Sequence, residues 1–211
     1  RATNPKPGNG TKQRTQVWDR ALTEKVDWDG AVGDVISAKG EHLPEGSVLK
    51  KIYGDKNPDR FVFFNEAGRH QKYTFSGSEM KLGKIWEDFT ILMRSGKASE
   101  KVLTPYRKFF KTLNIRVPMS AASAAQTLYF GGFTGIKGQG VLLHPRVMIL
   151  LDGADHDGDT ATTFFGGREI HKKGLDSEWF KDFEKVEEEF YETDPNTKMR
   201  RLSNPKSDEM I

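Results

Sequence analysis

The chain has 211 residues, enough for one large domain or for one domain with attachments, and it contains no cysteine. The absence of cysteine excludes disulfides, zinc–thiolate sites and cysteine nucleophiles. The net charge of +3, from 33 basic and 30 acidic residues, decides little about partners, and no apolar run approaches the length of a membrane span.

The first third of the chain is predicted to be mainly β. Residues 1–16 hold Pro, Gly, Asn and basic side chains with almost no apolar anchor, which predicts a flexible basic arm. A short amphipathic helix is expected over Val17–Val26. Strands are predicted at four runs, of which the last two form a hairpin around Glu66-Ala67-Gly68: Val32–Ser37, Ser47–Tyr53, Arg60–Asn65 and Gln71–Phe75.

Helical periodicity follows. Apolar side chains recur at helical spacing over Ser78–Arg94, with Ser76 or Ser78 as the N-cap and Ser95-Gly96 at the end. A second helical stretch, Ser99–Leu113, is interrupted or restarted at Thr104-Pro105. Its aromatic and basic side chains are typical of a buried helix face beside a solvated one, although they also suit stacking on nucleic acid bases.

The last part of the chain returns to β before a final helix. Tyr129–Gly140 is rich in glycine and predicts tight turns between short strands, without matching a phosphate-binding loop. Val147–Leu151 is interpreted as a buried strand and Thr160–Phe165 as another. Leu175–Tyr191 predicts an amphipathic helix, and residues 193–211 predict an extended tail or linker. Because the chain begins with Arg rather than Met, we expect a processed product or an excerpt of a longer polypeptide.

Three aspartates alternate with other residues directly after the predicted strand: Asp155, Asp157 and Asp159. In an extended or gently turning backbone, alternate side chains point the same way, so the three carboxylates can converge. Ionised carboxylates that are this close repel unless a cation lies between them, and oxygen ligands suit magnesium. Gly158 allows the loop to bend. The pattern therefore predicts a Mg²⁺ site.

Closely spaced aspartates also occur in other kinds of loop. An EF-hand is excluded, because counting from Asp155 places Thr160 at position 6 and Gly166 at position 12. A plain acidic turn and a calcium-stabilised binding module stay open. A metal-dependent nuclease would bring a further His or Glu base, and His156 alone is weak support.

The flanks of the loop narrow the choice. Ala154 precedes the first aspartate, Leu143-His144-Pro145 lies upstream, and Arg116-Val117-Pro118 lies further upstream. A further segment, with a weaker similarity to the same family, is Val26-Asp27-Trp28-Asp29-Gly30. Together with Asp-x-Asp-Gly-Asp, these motifs resemble the metal-binding region of the β′-type largest subunit of multisubunit RNA polymerases and of related two-barrel polymerases of phages and RNA silencing. The resemblance is specific over residues 114–160 and extends more weakly over 24–165.

The resemblance implies an α+β fold, a double-psi β-barrel with inserted helices, together with a C-terminal helix and extended termini. On this basis the domains are expected as follows: a flexible basic arm over 1–16, the barrel over 17–170 with a helical insertion at about 78–113, an amphipathic helix over 171–192 and a tail over 193–211.

The resemblance also implies a function, that of part of a DNA-directed RNA polymerase. Asp155, Asp157 and Asp159 would hold the catalytic Mg²⁺ for nucleotidyl transfer to the RNA 3′ end, and a second Mg²⁺ would arrive with the nucleotide. Arg116 would lie near the incoming ribose. His144 and Pro145 would shape the start of the strand, and His156 would face away from the metal. Gly153 stands where the family has an Asn that reads the ribose 2′-hydroxyl, so sugar discrimination is expected to differ or to lie elsewhere.

The same chemistry needs a second, β-like barrel that brings lysines to the phosphates, which the chain does not supply. The expected partners are therefore other RNA polymerase subunits, the DNA template, RNA and nucleoside triphosphates, with no membrane partner and no activity of the isolated chain. The size and divergence favour a phage or viral protein, located in the cytoplasm of the infected cell or packaged in the virion. The alternative is a viral structural or packaged protein whose polymerase-like barrel is not catalytic.

Overall fold

The computed structural model describes residues 10–17, 31–38, 42–119, 122–151, 154, 159–166, 185, 191–193 and 200–202. Within them the chain is an α+β protein, as predicted. The strands are β1 Gly10–Val17, β2 Phe61–Phe64, β3 Lys72–Phe75, β4 Ser78–Lys81, β5 Lys111–Arg116, β6 Ala125–Phe133, β7 Val141–Leu143, β8 Thr160–Phe165, β9 Tyr191–Thr193 and β10 Arg200–Leu202. The α-helices are α1 Ala31–Ser37, α2 Val48–Tyr53, α3 Leu82–Ser95, α4 Glu100–Phe110 and α5 Pro145–Leu150. Short 3-10 helices occupy Pro58–Arg60, Glu66–His70 and Ala122–Ala124.

Six of the described strands close into a barrel in the order β1-β7-β2-β6-β5-β8. β1 pairs with β7 in parallel and with β8 in antiparallel fashion, so the first strand completes the ring. β2 is parallel to β6 and antiparallel to β7. β5 is antiparallel to both β6 and β8. It follows that β2, β6 and β8 run in one direction and β1, β5 and β7 in the other.

The pairing pattern of the barrel has a twofold internal symmetry. The symmetry exchanges β1 with β6, β2 with β7, and β5 with β8. Under this exchange the parallel pair β1–β7 becomes the parallel pair β6–β2, and every antiparallel pair becomes an antiparallel pair. When α1, α2, the β3–β4 hairpin and the 3-10 helices are left aside, each half of the barrel sequence follows the order strand, strand, helix, strand. The first half is β1, β2, α3 with α4, and β5; the second half is β6, β7, α5 and β8.

The barrel interior is aromatic towards one end. Phe130 on β6 lies at its centre, with ring-centroid distances of 5.3 Å to Phe64, 5.4 Å to Phe110 and 5.4 Å to Phe165. All four side chains are almost fully buried. We call this the aromatic end; β2 and β8 finish there and β5 begins there. The other end, where β5 and β7 finish and β8 begins, we call the polar end.

Helices α3 and α4 pack on the barrel as an antiparallel pair. The indole of Trp86 meets Phe110 edge-on at 5.1 Å, and Phe89 stacks on Tyr106 at 5.4 Å. Helix α3 ends at Gly96, which adopts a left-handed conformation with φ of 62°, as the Ser95-Gly96 signal predicted. No helix in the described ranges is long and apolar enough to cross a membrane.

Three predicted strands are wrong, since each is a short helix. Val32–Ser37 lies in α1, Ser47–Tyr53 in α2, and Val147–Leu151 mostly in α5. In α2 the buried side chains Leu49, Ile52 and Tyr53 follow helical spacing, and Ser47 caps the first turn by accepting a hydrogen bond from the Lys50 amide. Short apolar runs fit both a strand and a helix, and in α2 the cap favours the helix.

The predicted hairpin around Glu66-Ala67-Gly68 is also wrong, although both of its strands exist. β2 is part of the barrel, whereas β3 pairs with β4 through the two-residue turn Ser76-Gly77. Both turn residues have positive φ, 50° and 84°, as a type I′ hairpin requires. Ser76 and Ser78 are therefore not helix caps, and α3 starts later, at Leu82.

The remaining predictions are partly corrected. The second helix ends at Phe110 and continues through Pro105, because burial of Leu103, Phe109 and Phe110 outweighs the lost hydrogen bond. Residues from Lys111 onward form β5. Residues 10–16, predicted as part of a flexible arm, form β1 together with Val17. The strand at Thr160–Phe165 is confirmed.

At the C-terminus, β9 pairs with β10 inside the region predicted as helix end and tail, and β10 lies against α5. Predictions for residues 1–9, for the rest of the helix proposed over Val17–Val26, for Val26–Gly30, and for most of the helix at 171–192 fall outside the described residues.

Candidate functional site

The polar end of the barrel collects residues from separate sequence motifs. β5 ends at Arg116, β7 ends one residue before His144, and β8 begins one residue after Asp159. Because β5 and β7 run opposite to β8, these three positions lie at the same end. The barrel thus brings the Arg-x-Pro motif, the Leu-His-Pro motif and the last aspartate of the loop together.

Arg116 and Asp159 form a direct ion pair. The guanidinium Nη2 of Arg116 lies 2.9 Å from the carboxylate Oδ2 of Asp159, and the two side chains are 22% and 21% exposed. On the β5–β8 ladder Arg116 is opposite Ala161, two residues beyond Asp159, so the alternation of the strand places both side chains on one face. Partly exposed pairs of this kind stabilise a fold by only about 0.2–1 kcal/mol. The pair therefore matters more for its position than for stability.

A buried chain of hydrogen bonds lies next to this pair on the same strands. The Thr163 hydroxyl donates to Asn114 Oδ1 at 2.7 Å, and Asn114 Nδ2 donates to the Thr112 hydroxyl at 2.9 Å. Thr112 in turn donates to the carbonyl of Leu128 at 2.8 Å. The polar side chains of this chain are at most 1% exposed. It joins β8, β5 and β6 and thereby fixes the strands that carry Arg116 and Asp159.

Sequence reasoning missed Thr112, Asn114 and Thr163, the polar side chains of this hydrogen-bond chain. Thr112, Asn114 and Arg116 occupy every second position, which is a strand signal with one polar face. The helical pattern predicted over Ser99–Leu113 includes Thr112 and so competes with this strand signal. Thr163 lies in a strand that was predicted, but its alternation with Ala161 and Phe165 suggested no polar partner.

His144 has a structural position at the start of α5. Its Nδ1 accepts a hydrogen bond from the Arg146 amide at 3.2 Å, and Pro145 occupies the first helical turn. Burial lowers the pKa of His144 below its usual 6.5, an effect that the charge of Asp59 opposes and that of Arg146 supports. The imidazole is therefore neutral at pH 7, with its proton on Nε2. The motif opens a helix rather than the strand that was predicted.

Apolar side chains are exposed on segments that start from the polar end. Val117 and Met119, directly after Arg116, are 64% and 53% exposed, and Ile149 on α5 is 70% exposed. Large apolar side chains at such exposure are common singly but are also a feature of protein contact surfaces.

Only one of the three proposed metal ligands can be placed. Asp155, Asp157, Gly153, His156 and Gly158 lie outside the described residues. Asp159 offers carboxylate oxygens, which are hard donors, and in this structure they are paired with the Arg116 guanidinium at 2.9 Å. Among the described residues alone, no cluster of three metal-ligating side chains occurs.

Comparison with known proteins adds no assignment. No protein-family model matches the sequence, and no curated protein matches it. A function for this chain is therefore inferred from the motifs and from where the barrel places them.

Proposed function

We propose that the chain is part of a DNA-directed RNA polymerase, a β′-like subunit or fragment that holds the catalytic Mg²⁺ for nucleotidyl transfer. The observation that carries the proposal is the contact between Arg116 and Asp159 at the polar end of a closed barrel. Two motifs that resemble the polymerase family, Arg-x-Pro and Asp-x-Asp-Gly-Asp, are distant in sequence, and one residue of each meets the other here.

The proposal includes a double-psi form for the barrel. It is supported by six strands in a closed ring, by two parallel pairs related by internal symmetry, and by the repeated order of strand, strand, helix and strand. The helices α3 and α4 correspond to the inserted helical region that the resemblance implies.

In the proposed mechanism Asp159, with Asp155 and Asp157, would hold Mg²⁺, which would supply positive charge to stabilise the reacting phosphate. Arg116 supplies guanidinium donors for the ribose of the incoming nucleotide, at the side of the metal ligands. The hydrogen-bond chain through Asn114 holds Arg116 and Asp159 in register. His144 transfers no proton through Nδ1, since that atom is already engaged by the Arg146 amide. Phosphoryl transfer depends mainly on such positioning and electrostatics.

The other half of the active centre is proposed to come from partners. A second, β-like barrel would supply cations for the phosphates, and the exposed Val117, Met119 and Ile149 are candidates for its contact surface. DNA template, RNA and nucleoside triphosphates are the further partners. The proposed location is the cytoplasm of an infected cell or the interior of a virion.

The test is RNA extension by the native assembly on a DNA template, with Asp157→Ala and Asp159→Asn introduced separately. Loss of a metal ligand is expected to lower the rate by at least about 10²-fold, more than loss of an outer-shell contact. Asp88→Asn is the matched control, because Asp88 is ion-paired to Lys84 and its side chain is 27% exposed. Full activity of both loop variants would refute the catalytic proposal.

The same preparation separates the alternatives. An assembly that contains the chain but synthesises no RNA would favour a structural or packaged viral protein. Stabilisation by Ca²⁺ but not by Mg²⁺ or Mn²⁺ would favour a binding module. Degradation of nucleic acid in place of synthesis would favour a nuclease.

A further inference from the structure

We propose that Arg116 is the counter-ion of Asp159 in the metal-free protein and that it releases this carboxylate when a divalent cation binds. This inference rests on the proposed function, because it assigns a role towards the metal of that same site. It goes beyond the substrate-binding role, since it makes Arg116 a competitor of the metal.

The geometry points to competition for one carboxylate. Arg116 Nη2 lies 2.9 Å from Asp159 Oδ2, within charge-assisted hydrogen-bond distance. A metal ligated by Asp159 would draw on the same carboxylate, and its double positive charge would lie close to the guanidinium. Like charges at such a distance repel, and with side-chain exposures of 22% and 21% solvent screens this repulsion only in part.

Movement of the Arg116 side chain away from the metal would relieve this repulsion. The backbone is not free to follow, since Asn114, two residues earlier on β5, is bonded to Thr163 and Thr112 in the buried interior. The backbone of β5 thus stays in place, and only the Arg116 side chain changes partners.

The exchange has a consequence for the nucleotide. Once Arg116 leaves Asp159, its donors become available to a ribose or a phosphate. By thermodynamic linkage, if the metal raises the affinity for a ligand of the released guanidinium, that ligand raises the affinity for the metal by the same factor. The contact would therefore couple the two binding events with positive sign.

The experiment measures Mn²⁺ binding to the full chain by the electron paramagnetic resonance signal of free Mn²⁺. Arg116→Gln is expected to bind Mn²⁺ roughly fivefold more tightly than the wild type, because a partly exposed ion pair no longer competes. Arg116→Lys retains the charge and is expected to stay within about twofold of the wild type. Arg69→Gln is the matched control: Arg69 pairs with Glu66 at 2.7 Å beyond the aromatic end, and its loss should leave the Mn²⁺ affinity unchanged.

A second measurement observes the wild type directly. In ¹⁵N spectra of the arginine side chains, saturating Mg²⁺ should shift the Arg116 signals away from those of the guanidinium bonded to Asp159. Unchanged Arg116 signals at saturation, or Mn²⁺ binding by Arg116→Gln that is equal to or weaker than that of the wild type, would overturn the inference.

Asp159→Asn separates this inference from the proposed function. If Asp159→Asn weakens Mn²⁺ binding while Arg116→Gln fails to tighten it, the metal site stands and the counter-ion role of Arg116 is wrong. If Asp159→Asn leaves Mn²⁺ binding unchanged, Asp159 is not a ligand, and both the proposed metal site and the counter-ion role fail.

Discussion

Replacing Thr163 by Val should destabilise the barrel through a single buried hydrogen bond. The change keeps the volume of the side chain and removes the hydroxyl that donates to Asn114 Oδ1 at 2.7 Å. Thr163 is 0% and Asn114 1% exposed, so water cannot replace the lost donor. A buried acceptor left without a partner costs about 1–3 kcal/mol. For a chain of 211 residues, about 2 kcal/mol corresponds to a decrease in melting temperature of roughly 4–8 °C.

The assay is urea denaturation followed by circular dichroism, combined in a double-mutant cycle with Asn114→Leu. Because the two side chains bond to each other, the free energies of unfolding should not add, and the coupling should be about 0.5–3 kcal/mol. Thr162→Val is the control, since Thr162 lies on the opposite, half-exposed face of β8 and should change stability by less than about 0.5 kcal/mol. A Thr163→Val variant as stable as the control, or zero coupling with Asn114, would refute the argument that this chain fixes the strands of the site.

Further predictions concern packing and pH. Gly131→Ala should destabilise the fold by about 1–3 kcal/mol, because an added Cβ would lie 2.4 Å from Cε1 of Phe63, where the register of β2 and β6 is irregular. Thermal denaturation of Gly131→Ala and Gly131→Ser would show whether the loss of stability grows with side-chain size. The lowered pKa of His144 means that protonation favours the unfolded state, so its contribution to stability should be complete above pH 6.5 and should be lost as the pH falls through the folded pKa. His144→Asn keeps a capping side chain and should flatten this dependence in urea melts between about pH 5 and 7; an unchanged slope would assign it to other groups.

The parts of the fold that were predicted correctly have a strong local pattern. Thr160–Phe165 alternates between buried and half-exposed positions along its whole length, and α3 has apolar side chains at helical spacing and a glycine at its end. These signals require no knowledge of the rest of the chain.

The failures arise where distant contacts decide. The short apolar runs of α2 and α5 begin at side-chain caps, Ser47 and the unusual cap His144, and the buried side chains of α1, α2 and α5 pack in the core. β1 has almost no apolar pattern in its sequence, GTKQRTQV, and is a strand because β7 and β8 offer hydrogen-bonding edges on both of its sides.

Asp159 and Arg116 were named from their motifs, but Thr112, Asn114 and Thr163 beside them were missed. The contact between Arg116 and Asp159 was not predictable from the sequence, because it depends on the register of β5 with β8. That register is a tertiary property. It is set in part by the hydrogen bond between Asn114 on β5 and Thr163 on β8, two residues that are distant in the sequence.

The closure of the ring by its first strand has a consequence for how the protein is made. Gly10 pairs with Phe164, so β1, which leaves the ribosome before the other barrel strands, cannot complete its hydrogen bonds until β8 has followed. Pairing at such sequence separation is slow to form, and β7 and β8 keep open edges until it does. Asp159, one residue before β8, therefore belongs to the last part of the barrel to assemble, and the proposed metal site would mature only when the two ends of the barrel sequence have met.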